Sequence, residues 1–167
     1  GKLTAQWRKD NPDVEPASVL LEKINAEKAQ LIKAKKAKKE NLDLIDEGEH
    51  YFDIPKSWKW QRLGNVGFIF NGNSVNKNLK EAKYANVQEG FPYIGTKDVG
   101  YIFDLINDDN GVKIPFDEPK FKVAKKDTVL ICSEGGSAGK KMGIVSQDCC
   151  FGNKLYAIEQ HGKLQSV

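Results

Sequence analysis

Only three cysteines and two histidines occur among the 167 residues. Cys132 and the adjacent Cys149 and Cys150 make neither an even disulfide set nor a CxxC pair, and two histidines cannot complete a zinc site with them. The three thiols are expected to be reduced core residues. No run approaches the roughly 18 to 20 apolar residues of a membrane span, and the opening GKLTAQWRKD lacks an apolar secretory core. The expectation is a soluble, cytoplasmic protein with no membrane contact. A net charge of +3 makes the distribution of charge more informative than its total.

Two kinds of enzyme are disfavoured by missing motifs. Gly139-Lys140 resembles the end of a phosphate-binding loop, but that loop needs a glycine five positions earlier and a hydroxyl residue afterwards, where this chain has Glu134 and Lys141. A methyltransferase would carry a glycine-rich cofactor loop and an Asn/Asp-Pro-Pro-aromatic run; the only Asn-Pro here, Asn11-Pro12, continues into Asp13. A magnesium nuclease finds its letters in Glu118-Pro119-Lys120, with Asp104, Asp108 or Asp109 upstream, and in Glu81-Ala82-Lys83. It would need these acids on adjoining strands around the metal. Pro119 removes a ladder donor from the first set, and the second lies in a stretch that reads as loop.

Glycine and proline are also absent from 17 to 47. Residues 1–16, punctuated by Pro12 and Pro16, read as a connector, and Pro16 suits a first helical position. Ala17, Ile24 and Leu31 recur at heptad spacing, with Leu20 and Leu21 between the first two. This predicts one long coiled-coil-type helix over 17–48, stopped at Gly48, with a narrow seam suited to a partner helix. The seam residues Ala17, Leu20, Leu21, Ile24 and Leu31 are the candidate helix interface, and a homodimer through them is one expected use. Lys33, Lys35, Lys36, Lys38 and Lys39 form either a solvated face at the negative helix end or a track for a nucleic-acid backbone.

Beyond Pro55 the composition changes. Tyr51, Phe52, Trp58, Trp60, Phe68 and Phe70 are expected to supply a core, a polar stretch from Asn71 to Gly90 reads as mobile loop, and strands are expected over 91–95, 112–114, 121–124, 129–132, 143–145 and 155–158. Val129-Leu130-Ile131-Cys132 reads as a strand covered on both faces. Ser133–Lys141 follows with no large apolar side chain. Gly135, Gly136 and Gly139 permit unusual backbone and close approach, and Lys140 and Lys141 make the tip suit an anion; the plainer alternative is a hairpin with solvated lysines. The fold class is α+β: one long helix followed by a strand-rich mixed domain over 49–167.

Within this frame GKLTAQWRKDNPDVEPASVLLEKINAEKAQLIKAKKAKK resembles the central region between the two target-recognition domains in specificity subunits of Type I restriction–modification systems. IPKSWKWQRLGNV resembles the entrance to the second such domain, and PYIGTKDV, DTVLICSEGGSAGKK and FGNKLYAI resemble its interior. The resemblance implies a non-catalytic, DNA-reading subunit that reads one half of a bipartite target in double-stranded DNA. It would dock methyltransferase subunits through its spacer helix, in a complex that also contains restriction subunits. No cofactor is then expected in this chain, since S-adenosylmethionine, ATP and magnesium would belong to the partner subunits. The family places a second long helix after this domain, so 49–167 is expected to be a recognition domain truncated at its C-terminal end. Residue chemistry alone makes Lys140, Lys141, Asn73, Ser74, Thr96, Lys97, Gly136, Ser137, Asn153 and Lys154 the candidate DNA contacts. The alternative class is an assembly module that mediates protein contact through its helix and reads no sequence.

Overall fold

The computed structural model describes residues 1–34 and 42–160. Its contacts divide them into two compact units, the first reaching Gly67 and the second running from Phe68 to Gln160.

In the first unit a short helix α1 (Ala5–Asp10) precedes α2 (Ala17–Lys33), and α3 (Leu63–Val66) closes it. Pro16 is the extended residue that flanks α2 rather than its first helical residue. α2 is 17 residues long, about 25 Å at 1.5 Å per residue. The expected helix to Gly48 is not continuous: 42–46 carry no helix, and Glu47–Glu49 is a separate 3-10 turn. Lys35, Lys36, Lys38 and Lys39 lie outside the described residues.

The seam of α2 is not left free. Ile24 is buried, Ala17, Leu20, Leu21 and Leu31 are half-buried, and α2 packs on α3. The Ala17 N–H donates to the Ser57 carbonyl at 2.9 Å, and Lys28 Nζ donates to the Gly64 carbonyl at 2.6 Å. Ser57 and α3 thus both lie against α2, and the seam is partly covered. Expected core aromatics are displaced as well: Tyr51, Phe52 and Trp58 are exposed. Together with His50, Tyr51 and Phe52 gather around Trp60, with ring centroids 4.9 to 6.2 Å from it.

The second unit is built on two four-stranded sheets. One has the order β1 (Gly67–Asn71), β8 (Leu155–Gln160), β5 (Val129–Cys132), β6 (Met142–Ile144); the other has β3 (Lys113–Ile114), β2 (Phe91–Ile94), β7 (Cys149–Phe151), β4 (Val123–Ala124). β5 is antiparallel to both β6 and β8, with Leu130 opposite Gly143 and Ala157. β2 and β7 run parallel, Tyr93 facing Cys150 and Ile94 facing Phe151.

One buried cluster draws on both sheets, joining Ile94, Leu130, Cys132, Cys149, Phe151, Leu155 and Ala157, with Phe70 packed against it. A second joins Tyr84, Tyr93, Ile114, Phe121 and Cys150. Because side chains alternate along a strand, Ile94 and Tyr93 serve opposite clusters, as do Cys149 and Cys150. The β2–β7 sheet is therefore covered on both faces. The β5 sheet is not: Leu130 and Cys132 are buried, whereas Val129 and Ile131 are half-buried, which corrects the expected two-sided burial. The expected loop before Gly90 contains α4 (Lys77–Leu79), which runs on as a π-helical turn over Lys80–Tyr84. Asn76 starts it by accepting the Leu79 N–H at 2.8 Å, and Tyr84 anchors it edge-on to Phe121 at 5.7 Å.

Candidate functional site

The parallel pairing of β2 with β7 aims their C-terminal ends the same way, which places 95–98 beside 152–154. β5 ends there too, and β8 begins there, with Cys132 paired to Leu155. The Gly152 N–H donates to the Ile94 carbonyl at 2.9 Å, and the Ser133 N–H to the Lys154 carbonyl at 3.0 Å. β1 delivers its own continuation to the same end, where the Asn73 N–H donates to the Phe151 carbonyl at 2.9 Å. Thr96, Lys97, Ser137, Lys140, Lys141, Asn73, Asn153 and Lys154 are thus carried on neighbouring loops.

The Ser133–Lys141 turn is held by its backbone. Gly139 N–H donates to the Cys132 carbonyl at 2.9 Å, and the Ser137 carbonyl accepts from Lys140 at 3.0 Å and Lys141 at 3.2 Å. Gly135–Ser137 makes a 3-10 turn. Gly135 (φ +73°) and Gly139 (φ +68°) occupy the left-handed region, but Gly136 does not. Its freedom is therefore not needed for folding, and open space surrounds the position where a side chain would stand.

Charge is arranged unevenly along these loops. Lys154 pairs with Glu134 at 3.8 Å. Lys141 Nζ donates to the Thr96 carbonyl at 3.2 Å and lies 5.3 Å from the centroid of the Tyr101 ring. Among the described residues no carboxylate forms an ion pair with Lys97, Lys140 or Lys141. Asp98 is buried, and its Oδ2 accepts the Gly95 N–H at 2.8 Å, which shapes the turn bearing Thr96 and Lys97. Asn73 is engaged on three sides: besides its N–H, its carbonyl accepts the Tyr93 hydroxyl at 2.8 Å and its Oδ1 the Lys122 N–H at 2.8 Å. Burial pushes the Tyr93 phenol above its ordinary range. Ser74, Lys97, Gly136, Lys140, Asn153 and Lys154 are exposed, while Thr96, Ser137 and Lys141 are half-buried.

Two of the segments considered for a nuclease meet through an ion pair rather than around a metal site. Glu118 Oε2 accepts from Lys83 Nζ at 2.6 Å, an ion pair that holds its carboxyl below the usual range. Asp108 is taken up by Ser146 at 2.7 Å and Gln147 at 2.9 Å. No group of three or more His, Cys, Asp or Glu side chains among the described residues is gathered for a metal. All three cysteines are free and buried, and burial pushes the Cys149 and Cys150 thiols up to about 12, far from nucleophilic or metal-binding thiolates.

The candidates omit one neighbour of the turn. Residues 101–105, Tyr-Ile-Phe-Asp-Leu, read as a strand by propensity, yet all five are exposed, and Tyr101 forms an antiparallel bridge with Lys141. The signal in the sequence was a run with four large apolar side chains in five positions; its nearness to the lysine pair comes only from the Tyr101–Lys141 pairing.

Short helices beside two mixed sheets, with small polar groups and lysines on the strand-end loops, make this an α+β protein. No family model matches the chain. It is 34% identical over 149 residues to the Type I restriction enzyme EcoAI specificity subunit of Escherichia coli, covering 80% of this chain and 24% of that protein. It is 40% identical over 67 residues to the EcoEI specificity subunit of the same organism, covering 40% of this chain and 11% of that one. Among solved structures, the HsdS subunit of Thermoanaerobacter tengcongensis matches with a TM-score of 0.51 and 26% identity, over 69% of this chain and 26% of that one. The chain is a relative of Type I restriction–modification specificity subunits, and it spans about a quarter or less of the length of the curated relatives it matches.

Proposed function

We propose that this chain is a non-catalytic DNA-recognition element of a Type I restriction–modification complex, reading one half of a bipartite target with the loops at the common end of β2, β5 and β7. The observation that carries the reading is the convergence there of Lys97, Lys140 and Lys141, none paired with a carboxylate among the described residues, on loops that also carry Thr96, Ser137 and Asn153. Cations without an internal counter-charge suit phosphates, and small polar side chains beside them suit base edges. Methyltransferase and restriction subunits would dock on the unit that contains α2. S-adenosylmethionine, ATP and magnesium would be handled by those subunits. A homodimer through α2 has less support, because Ile24 is already buried.

The test is DNA binding by the full chain to duplexes selected from a random pool. Replacing Lys140 and Lys141 together with alanine should lower affinity and reduce its salt dependence by about one counterion for each phosphate no longer neutralised. Ser137→Ala or Asn153→Ala should change the selected sequence, at a cost on the order of 1 to 3 kcal/mol on the original site. Unchanged affinity, salt slope and sequence in all of these would refute the reading.

A second reading, protein assembly, is favoured by the first unit. A cavity of about 650 Å³ there is lined by Leu44, Ile45, His50, Phe52, Trp58 and Trp60, among others, and aromatic surfaces of this kind are enriched where proteins meet. A chain that binds no duplex even at low salt would leave this reading in place.

A further inference from the structure

We infer that the Tyr101–Leu105 loop is an apolar wedge that a DNA duplex receives between its stacked bases, a role that rests on the DNA reading above. Ile102 is 77% exposed and Leu105 95% exposed, flanked by the half-open rings of Tyr101 and Phe103. Exposed apolar side chains are common singly, but here four lie within five residues.

The backbone beneath them is strained. Ile102 has φ +48° and Phe103 φ +64°, a region in which a β-branched or bulky residue is an outlier. Four hydrogen bonds hold it there. Ile102 N–H donates to the Lys140 carbonyl at 3.3 Å, Phe103 N–H to the Met142 carbonyl at 3.0 Å, Met142 N–H to the Gly100 carbonyl at 3.2 Å, and Asp104 N–H to the Tyr101 carbonyl at 3.2 Å. The fold-back is so close that a Cβ on Gly100 would stand 2.3 Å from Asp104 Cβ. Strain kept by this much surrounding structure, beneath side chains that gain no burial from it, points to a use outside the chain.

The surroundings select the occupant. Two of the four bonds tie the loop to the backbone carbonyls of Lys140 and Met142, so the apolar tip and the lysine turn form one body. The Lys141 ammonium, 5.3 Å from the Tyr101 ring centroid, keeps a cation at the root of the tip. An apolar protein surface would give Lys140 and Lys141 no counter-charge, whereas a duplex offers phosphates to the lysines and unstackable base steps to Ile102 and Leu105. Insertion of such side chains kinks the helix and widens its contact with the protein.

The test uses the full chain and a selected duplex with fluorophores at its ends. Ile102→Gly suits the left-handed backbone, so it removes the side chain while keeping the loop, and Leu105→Ser is a second, independent variant. The wild type should shorten the end-to-end distance on binding. Each variant should weaken binding about tenfold and straighten the duplex, with an unchanged salt slope because every phosphate stays neutralised. Unaltered affinity and bend in both variants, with binding still weakened and its salt slope reduced in the Lys140/Lys141 double alanine variant, would overturn the wedge and leave the DNA reading standing. No response to any of these changes would overturn both. Loss of association with a methyltransferase subunit while DNA distortion stays intact would overturn the wedge in favour of a protein contact.

Discussion

Gly136 and Gly139 lie in the same turn, three residues apart, yet alanine should affect them oppositely. At neither position would a Cβ meet another atom within 4 Å, so steric overlap contributes nothing and the backbone angle alone decides. Gly139 sits at φ +68°, where a side chain crowds its own carbonyl and costs about 1 to 2 kcal/mol. Reduced freedom of the unfolded chain returns about 0.4 to 1 kcal/mol. Gly139→Ala should therefore lose about 1 kcal/mol. Gly136 is outside the left-handed region, so Gly136→Ala should be neutral or gain a few tenths. Because all three tryptophans, Trp7, Trp58 and Trp60, belong to the first unit, urea unfolding followed by far-UV circular dichroism and by the near-UV signal of the second unit's tyrosines would read both as midpoint changes at constant slope. Equal costs at the two sites, or a neutral Gly139→Ala, would refute the backbone account. A Gly136→Ala protein of unimpaired stability also isolates function: if DNA backbone approaches this glycine, affinity should fall while the unfolding midpoint does not.

Two further outcomes follow from single side chains. Asp148 is held below the usual carboxylate range chiefly by the Lys125 ammonium at 2.8 Å, so its contribution is present above the ordinary Asp pKa of about 4 and disappears as pH falls towards the depressed folded value. Asp148→Asn should flatten that acid limb in pH-dependent melting and cost no more than about 1 kcal/mol at pH 7; an unchanged acid limb would contradict this. Thr128 is buried, and its hydroxyl has no hydrogen-bond partner among the described residues. Thr128→Val should raise stability by about 1 kcal/mol in chemical denaturation, and a loss would mean that the hydroxyl is satisfied after all.

Much of the second unit was legible because its strands announce themselves locally. Val129–Cys132 is apolar, ends at a glycine cluster and folds as a strand, though one half-exposed on one face, and strands also form within the 91–95 and 155–158 runs. β7 escaped notice because Cys149-Cys150-Phe151 is only three residues long, and its meaning depends on a sheet covered from both sides. The helical turn at 77–84 escaped because it draws on one cap, Asn76, and one buried anchor, Tyr84, rather than on a periodic face. The long helix was over-read: a run without glycine or proline permits a helix but does not compel one, and nothing in the spacing of 42–46 supplies the packing that would extend it. Within the candidate site, chemistry pointed to the lysines and small polar residues. Strain at Ile102 and Phe103 could not be read, since it runs against the preferences of those side chains and is imposed by partners distant in sequence.

β1 and β8, the first and last strands of the second unit among the described residues, are neighbours in one sheet, which has a consequence for synthesis. At about 5 to 20 residues per second on a ribosome, β1 waits on the order of 10 s before its partner strand exists, and β5 has only β6 beside it until Leu155 emerges. Non-local pairing of this kind cannot lower the free energy of the chain until the intervening loops have closed. A nascent chain halted before 155 therefore holds Phe68–Phe70 and the outer edge of β5 open to other chains, and it is most vulnerable to aggregation just before β8 emerges.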